Sequence, residues 1–219
     1  MMLPSRDSRF ERIQASYGSL ADFLEPTTKA ALRNSNSQQD ITHGTLLNFV
    51  QNFEIPVVNR GSLKKPVLAV LLPNGPLLAA AVIATATWYT AAPINPAAGP
   101  EQVAADITLS GASAILTCRA EDDKLRLGHT GLSVFYVEEN GENIRVRCTE
   151  STTPSAVTKP QPNKDDDISI ILFTSGTSGN KKVVPMTTHS IVCGVGFVID
   201  SWGLKETDVC LNMMPLYHV

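Results

Sequence analysis

The sequence predicts an α/β domain with a largely parallel sheet flanked by helices. Short apolar runs such as Val-Leu-Ala-Val-Leu-Leu (67–72) and Ser-Ala-Ile-Leu-Thr (113–117) alternate with segments of helical periodicity, the pattern of repeated βαβ units. The runs are continuously apolar rather than alternating, as strands covered on both faces are. With 219 residues, 43% hydrophobic and 18% charged, the chain has enough apolar material for a substantial core and is unlike a disordered sequence.

Residues 1–40 carry few periodic features and form a lead segment, ending in the polar stretch Ala-Leu-Arg-Asn-Ser-Asn-Ser-Gln-Gln-Asp (31–40 region) that reads as a loop. A first α/β block spans 41–148. Thr42 is a plausible N-cap for a helix carrying Leu46, Leu47, Phe49, Val50 and Phe53. A buried strand at Val67–Leu72 is followed by the turn Pro73-Asn74-Gly75 and a buried helix starting near Pro76, because proline suits a first helical turn. Next come an apolar run with prolines (91–96), a helix over 99–111 closed by Gly111, and a strand at 113–118. After a charged stretch, Leu-Ser-Val-Phe-Tyr-Val-Glu-Glu and Asn-Ile-Arg-Val-Arg-Cys read as two more strands.

Residues 149–167 hold three prolines, many hydroxyls and no large apolar side chain; they read as a solvent-exposed linker. Asp165, Asp166 and Asp167 at its end read as a solvated edge rather than a metal site. A final block, 168–219, opens with the apolar strand Ile168–Phe173.

Composition narrows the function. The 18 basic and 21 acidic side chains give a net charge of −3, against a protein that binds nucleic acid through a general basic field. Cys118, Cys148, Cys193 and Cys210 are too few and too scattered for a disulfide scaffold or a zinc site, so reduced thiols and a cytoplasmic location are expected. The first residues show no secretory signal. No charge falls between Lys65 and Glu101, yet residues 73–76 interrupt that apolar text, and Leu77–Ala92 as a helix would reach only about 24 Å across roughly 30 Å of hydrocarbon. No membrane span is expected.

The chemistry-bearing text follows Phe173. Seven consecutive residues, Thr174 to Asn180, are Gly, Ser, Thr or Asn, and Lys181 and Lys182 come next. Such a loop lets successive N–H groups converge on an anion. A polyphosphate is its natural guest, with Lys181 or Lys182 neutralising charge; a plain polar surface loop is the alternative on composition alone. The spacing of Gly176 and Gly179 is not that of a Walker A loop, and Gly194-Val195-Gly196 lacks the third glycine of a dinucleotide fingerprint.

The text Phe-Thr-Ser-Gly-Thr-Ser-Gly-Asn-Lys-Lys-Val-Val-Pro-Met-Thr (173–187) resembles the phosphate-binding signature of the adenylate-forming superfamily, which includes acyl-CoA synthetases, adenylation domains of non-ribosomal peptide synthetases and luciferases. Residues 64–117 look like that family's early strand, Asn-containing turn, helix and Pro-x-Asn-Pro segment. Leu-Asn-Met-Met-Pro-Leu-Tyr-His-Val (211–219) is similar to its next motif, a Pro-Leu-aromatic-His at the end of a strand. The resemblance covers about 41–219 and implies the N-terminal part of the large adenylate-forming domain, incomplete in these residues.

It further implies that Thr174, Ser175, Gly176, Thr177, Ser178 and Gly179 wrap the β- and γ-phosphates of ATP, with Lys182 as the motif lysine. Tyr217 and His218 would lie beside the acyl pocket. In the complete enzyme a carboxylate attacks the α-phosphate to give acyl-adenylate and pyrophosphate, Mg²⁺ assists, and the thiol of CoA or of a carrier-protein pantetheine displaces AMP. Lys181 and Val183 depart from the family's usual Pro and Gly at those places. The Thr-Glu motif, the ribose-binding Asp, the adenine segment and the catalytic Lys of the C-terminal domain do not occur in these residues, so the chain alone is expected to be inactive or nearly so. A noncatalytic nucleotide-binding remnant, one that pairs with a separate C-terminal portion, and the first part of an adenylation unit in a multidomain polyketide or non-ribosomal peptide synthetase remain open as alternatives.

Overall fold

The computed structural model describes residues 18–33, 40–140, 143–149, 160–174, 181–205 and 207–218. A short 3₁₀ turn at Leu20–Phe23 leads to a two-stranded antiparallel pair, β1 (Ala30–Leu32) and β2 (Ile41–Thr42). Helix α1 (His43–Gln51) follows at once, and the Thr42 side chain accepts the Thr45 N–H at 3.1 Å, the expected cap.

Seven strands make the main sheet. They are β3 (Val67–Leu71), β4 (Thr90–Pro93), β5 (Ala114–Thr117), β6 (Ser133–Asn140), β7 (Asn143–Cys148), β8 (Ile168–Thr174) and β9 (Lys182–Thr187), in the spatial order β7-β6-β5-β3-β4-β8-β9. The inner five are parallel, and β7 and β9 close the two edges antiparallel. Both sequence blocks therefore contribute to one sheet.

Helices α2 (Pro76–Trp88) and α3 (Pro100–Ser110) join β3 to β4 and β4 to β5. Each has proline in its first turn, where a missing N–H costs nothing. Gly111 ends α3 in the left-handed region at φ 66°, its N–H on the Ile107 and Thr108 carbonyls.

Alternate residues of the central strand face opposite layers. Leu68, Val70 and Leu72 pack with α1 and α2, together with Phe49, Phe53, Leu78 and Tyr89. Ala69 and Leu71 pack instead with Val103 and Ile107 of α3 and with Leu125 of α4 (Arg119–Leu125). This two-faced burial explains why β3 carries no polar residue. Tyr89 anchors the first layer: its hydroxyl accepts the Ile55 N–H at 2.9 Å and donates to the Ile55 carbonyl at 3.1 Å. Burial pushes its phenol up to about 12. Helix α5 (Thr188–Trp202) then packs on β8 and β9 through Thr188, Val192 and Cys193 and leaves Phe197 and Trp202 exposed.

Several expectations need correction. Residues 119–125 form a helix whose charged surface hides its periodicity, since Leu125 is its single buried side chain. β4 runs into the proline-bearing run at 91–96 and is short enough for Pro93 to come at its end. Residues 207–214 form no strand among the described residues; a lone extended segment with no paired neighbour gains nothing from a strand conformation.

The acidic end of the linker is not wholly solvated either. Asp167 is buried, and its carboxylate accepts the Lys164 N–H at 2.9 Å and the Lys64 ammonium at 2.8 Å. Burial alone would raise its pKa, but these two donors, with Lys65 nearby, hold it below the ordinary value. A depressed carboxyl stabilises the fold in full above the unfolded-state pKa of about 3.9 and loses that contribution as pH falls through the folded value. Asp167→Asn is accordingly expected to be less stable than the parent at neutral pH, with the gap closing below about pH 4. Denaturant midpoints measured from pH 7 to pH 2 check this, and a gap that widens in acid would contradict it.

Among the described residues no helix is long and apolar enough to cross a membrane. Cys118, Cys148, Cys193 and Cys210 are free thiols.

Candidate functional site

The parallel strands end together. Leu71 lies beside Thr117, Val70 beside Pro93, and Ala91 beside Ile170, so the segments after β3, β4, β5 and β8 leave the same carboxyl edge. The segment after β3 turns into α2 on one face, whereas the one after β4 turns into α3 on the other. Neighbouring strands whose connections diverge to opposite faces open a crevice at their carboxyl ends, the usual place for a ligand in an open α/β sheet. Thr174 ends β8, immediately beside β4, and so borders this crevice.

The Pro73-Asn74-Gly75 turn holds a second segment in place. Asn74 Oδ1 accepts the Leu216 N–H at 3.0 Å, across 142 residues of sequence. The His218 N–H donates to the Pro215 carbonyl at 3.0 Å, closing a turn over 215–218. Leu216 and Tyr217 pack against the α1/α2 side of the core, and His218 is exposed. The expected Pro-Leu-Tyr-His segment thus does lie at the carboxyl edge, tethered by a side chain rather than by strand pairing.

Of the residues expected to surround phosphate, Thr174 and Lys182 are described, and they face each other as register partners of β8 and β9. Ser175, Gly176, Thr177, Ser178 and Gly179 lie outside the described residues. The two lysines differ. Lys182 is exposed and has no ion pair or side-chain hydrogen bond among the described residues. Lys181 instead lies 2.6 Å from Asp106 Oδ2 on α3, where the carboxylate is buried. Asp106 Oδ1 accepts Gln102 Nε2 at 2.8 Å. No signal in the sequence could have paired residues 75 positions apart. Of the two lysines, Lys182 is thus the one without an ionic partner among the described residues.

Further along the same edge, beyond β5, the Tyr136 hydroxyl donates to Asp122 at 2.6 Å, and the Arg119 guanidinium sits 5.2 Å from the ring centre. The hydrogen bond to Asp122, with burial, pushes the Tyr136 phenol up to about 12. That arrangement occupies all three side chains with one another. Among the described residues no three His, Cys, Asp or Glu side chains gather to hold a metal ion.

Known proteins share this architecture. The chain is similar to the oxalate–CoA ligase of Arabidopsis thaliana, 25% identical over 191 residues, which cover 82% of this chain and 36% of that enzyme. It is also similar to 4-coumarate–CoA ligase 1 of Arabidopsis thaliana, 24% identical over 222 residues, covering 92% of the chain and 39% of the relative. Among solved structures, apo MatB from Rhodopseudomonas palustris superposes with a TM-score of 0.66 at 18% identity, over 96% of this chain and 40% of that one. The Bacillus subtilis O-succinylbenzoate coenzyme A synthetase MenE, in complex with AMP, gives 0.63 at 18%, over 92% and 50%. These structural likenesses establish the fold. The chain spans between a third and two fifths of the length of these two curated relatives. The pattern of the AMP-binding enzyme family extends over residues 24–219, nearly all of the sequence, and the chain belongs to that family.

Proposed function

We propose that the chain is the N-terminal portion of an ATP-dependent acid–thiol ligase, and that its carboxyl-edge crevice receives the ATP polyphosphate. In this reading Thr174, Ser175, Gly176, Thr177, Ser178 and Gly179 surround the β- and γ-phosphates, and Lys182 supplies the positive charge. His218, with Tyr217, stands where the acyl substrate enters. The supporting observation is the convergence of parts distant in sequence, the turn at 73–75, the register pair Thr174 and Lys182, and the segment 215–218, on the edge where connections diverge to opposite faces.

The residues fit the group. An exposed lysine with no competing carboxylate among the described residues is available to a phosphate oxygen, and Thr174 is its register partner on β8. Charge built up on departing pyrophosphate needs such fixed donors. Mg²⁺ would arrive on the phosphates themselves, since it is seldom held by an all-protein cage, and when bound it offsets the same developing charge. The names of the relatives, oxalate–CoA and 4-coumarate–CoA ligase, suggest a carboxylic acid as substrate and CoA as acceptor. A carrier-protein pantetheine is the corresponding acceptor if the chain opens an adenylation unit of a larger synthetase.

These residues supply phosphate contacts, whereas the adenine and ribose contacts are expected elsewhere in the enzyme. Inorganic tripolyphosphate and Mg·ATP should therefore both raise the melting temperature of the chain, and adenosine should not. At a hundredfold excess over Kd the gain is about 2.7 kcal/mol, or roughly 5–10 °C for a chain of this size. Equal stabilisation by adenosine, or none by either anion, would contradict the proposal.

A further inference from the structure

Composition offers either of the two consecutive lysines after the glycine-rich loop as a phosphate cation, yet the structure treats them differently. Lys181 reaches back from the start of β9 to the middle of α3 and meets Asp106 at 2.6 Å. The carboxylate is 3% exposed, while the lysine side chain keeps 33%. The remaining carboxylate oxygen is taken by Gln102. If Lys181 moved to a phosphate, it would leave a buried carboxylate with a single neutral donor, an expensive state. Lys182 carries no such obligation among the described residues, and its backbone is fixed against Thr174 by the β8–β9 ladder.

We infer that Lys181 is a positioning residue: its ion pair with Asp106 pins the start of β9 to α3 and so places Lys182, the one lysine of the pair that answers to phosphate. The inference rests on the function proposed above. It separates two roles that a run of two lysines would otherwise blur, and it assigns Asp106, an acidic side chain, a part in holding an anionic ligand.

Two readouts on the whole chain test it. In the first, amine acylation followed by mass spectrometry compares the two lysines. Lys181 should react several-fold more slowly than Lys182 in the parent, and Asp106→Asn should bring Lys181 close to the Lys182 rate. Tripolyphosphate should slow Lys182 and leave Lys181 unchanged. In the second, tripolyphosphate affinity is measured for Asp106→Asn, Lys181→Gln and the double variant, well below each melting temperature. The double variant removes both charges together, so it keeps the comparison valid if Lys181→Gln alone folds poorly.

If Lys181 acts by position, each single substitution weakens binding by about tenfold, the size of one misplaced charge-assisted hydrogen bond, and the double is no weaker than the worse single. If Lys181 instead contributes charge, Asp106→Asn frees a cation and tightens binding; unchanged or tighter binding in that variant overturns the inference. Equal acylation of the two lysines in the parent overturns it as well. A parent that shows the Lys181 protection but binds no tripolyphosphate keeps the tether and refutes the functional reading instead.

Discussion

Replacing Asn163 with alanine is expected to lower the stability of the chain by about 3 kcal/mol and its melting temperature by roughly 6–12 °C. Asn163 lies in the segment that composition marks as an exposed linker, yet it is 2% exposed. Its side-chain amide donates to the carbonyls of Ala86 at 2.9 Å and Tyr89 at 2.6 Å, and meets Ser169 Oγ at 3.1 Å. Its own N–H reaches the Thr87 carbonyl at 2.7 Å. These groups end α2 and begin β4, where a helix leaves carbonyls without intrahelical partners. One asparagine therefore caps α2 and fastens the incoming chain beneath the sheet.

Alanine at 163 would leave the Ala86 and Tyr89 carbonyls without this donor in a buried site, at about 1–3 kcal/mol for each orphaned group, whereas Ser169 Oγ keeps its 2.7 Å hydrogen bond with Thr188 Oγ1. Asn163→Asp is the discriminating control. A carboxylate is nearly isosteric but offers acceptors to acceptors, so at neutral pH it should be at least as destabilising as alanine. Thermal melting of both variants checks this. A fall of less than about 2 °C for alanine, corresponding to under 1 kcal/mol, would refute the capping role.

Lys182→Ala should reduce tripolyphosphate and ATP affinity by about 10- to 100-fold, as expected for one charge-assisted hydrogen bond. In the absence of anion the variant should melt within about 0.5 kcal/mol of the parent, because an exposed side chain away from special features contributes little to stability. The two effects must separate: a large loss of ligand response with an intact fold. Raising ionic strength should weaken binding in the parent more than in the variant, since the lost term is the screened one. Isothermal titration across a salt series reads both. Unaltered affinity in Lys182→Ala would remove this lysine from the site.

Much of this fold was legible because the decisive signals are local. Pro76 begins α2, Gly111 ends α3 and Thr42 caps α1, each through chemistry confined to one turn. Continuous apolar runs marked β3 and β5 as covered on both faces. What could not be read depends on partners far along the chain. Asn163 looked like one more polar linker residue until the end of α2 stood over it. Asp167 looked solvated until Lys64 met it.

The candidate site divides in the same way. Thr174, Lys182 and the 215–218 segment were named from residue type and order, and they do come to one edge of the sheet. The role of Asn74 in holding Leu216, and the capture of Lys181 by Asp106, needed the fold. The strand expected before Pro215 is absent among the described residues because nothing there pairs with it. Residue order thus named segments that share one edge of the sheet, and tertiary contacts determine which of their described side chains are paired.

The central claim is that a polyphosphate binds at the carboxyl edge, between the ends of β3, β4 and β8. Backbone hydrogen exchange with and without tripolyphosphate measures this most directly. The account predicts slowed exchange at the end of β8 and the start of β9, around Thr174 and Lys182–Val184, and at Asn74–Gly75, with no change at the opposite edge around Asp167 and Thr188. Protection confined to that opposite edge, or to the groove of about 330 Å³ between α1 and β7 lined by Asn48, Asn52 and Arg145, would contradict it.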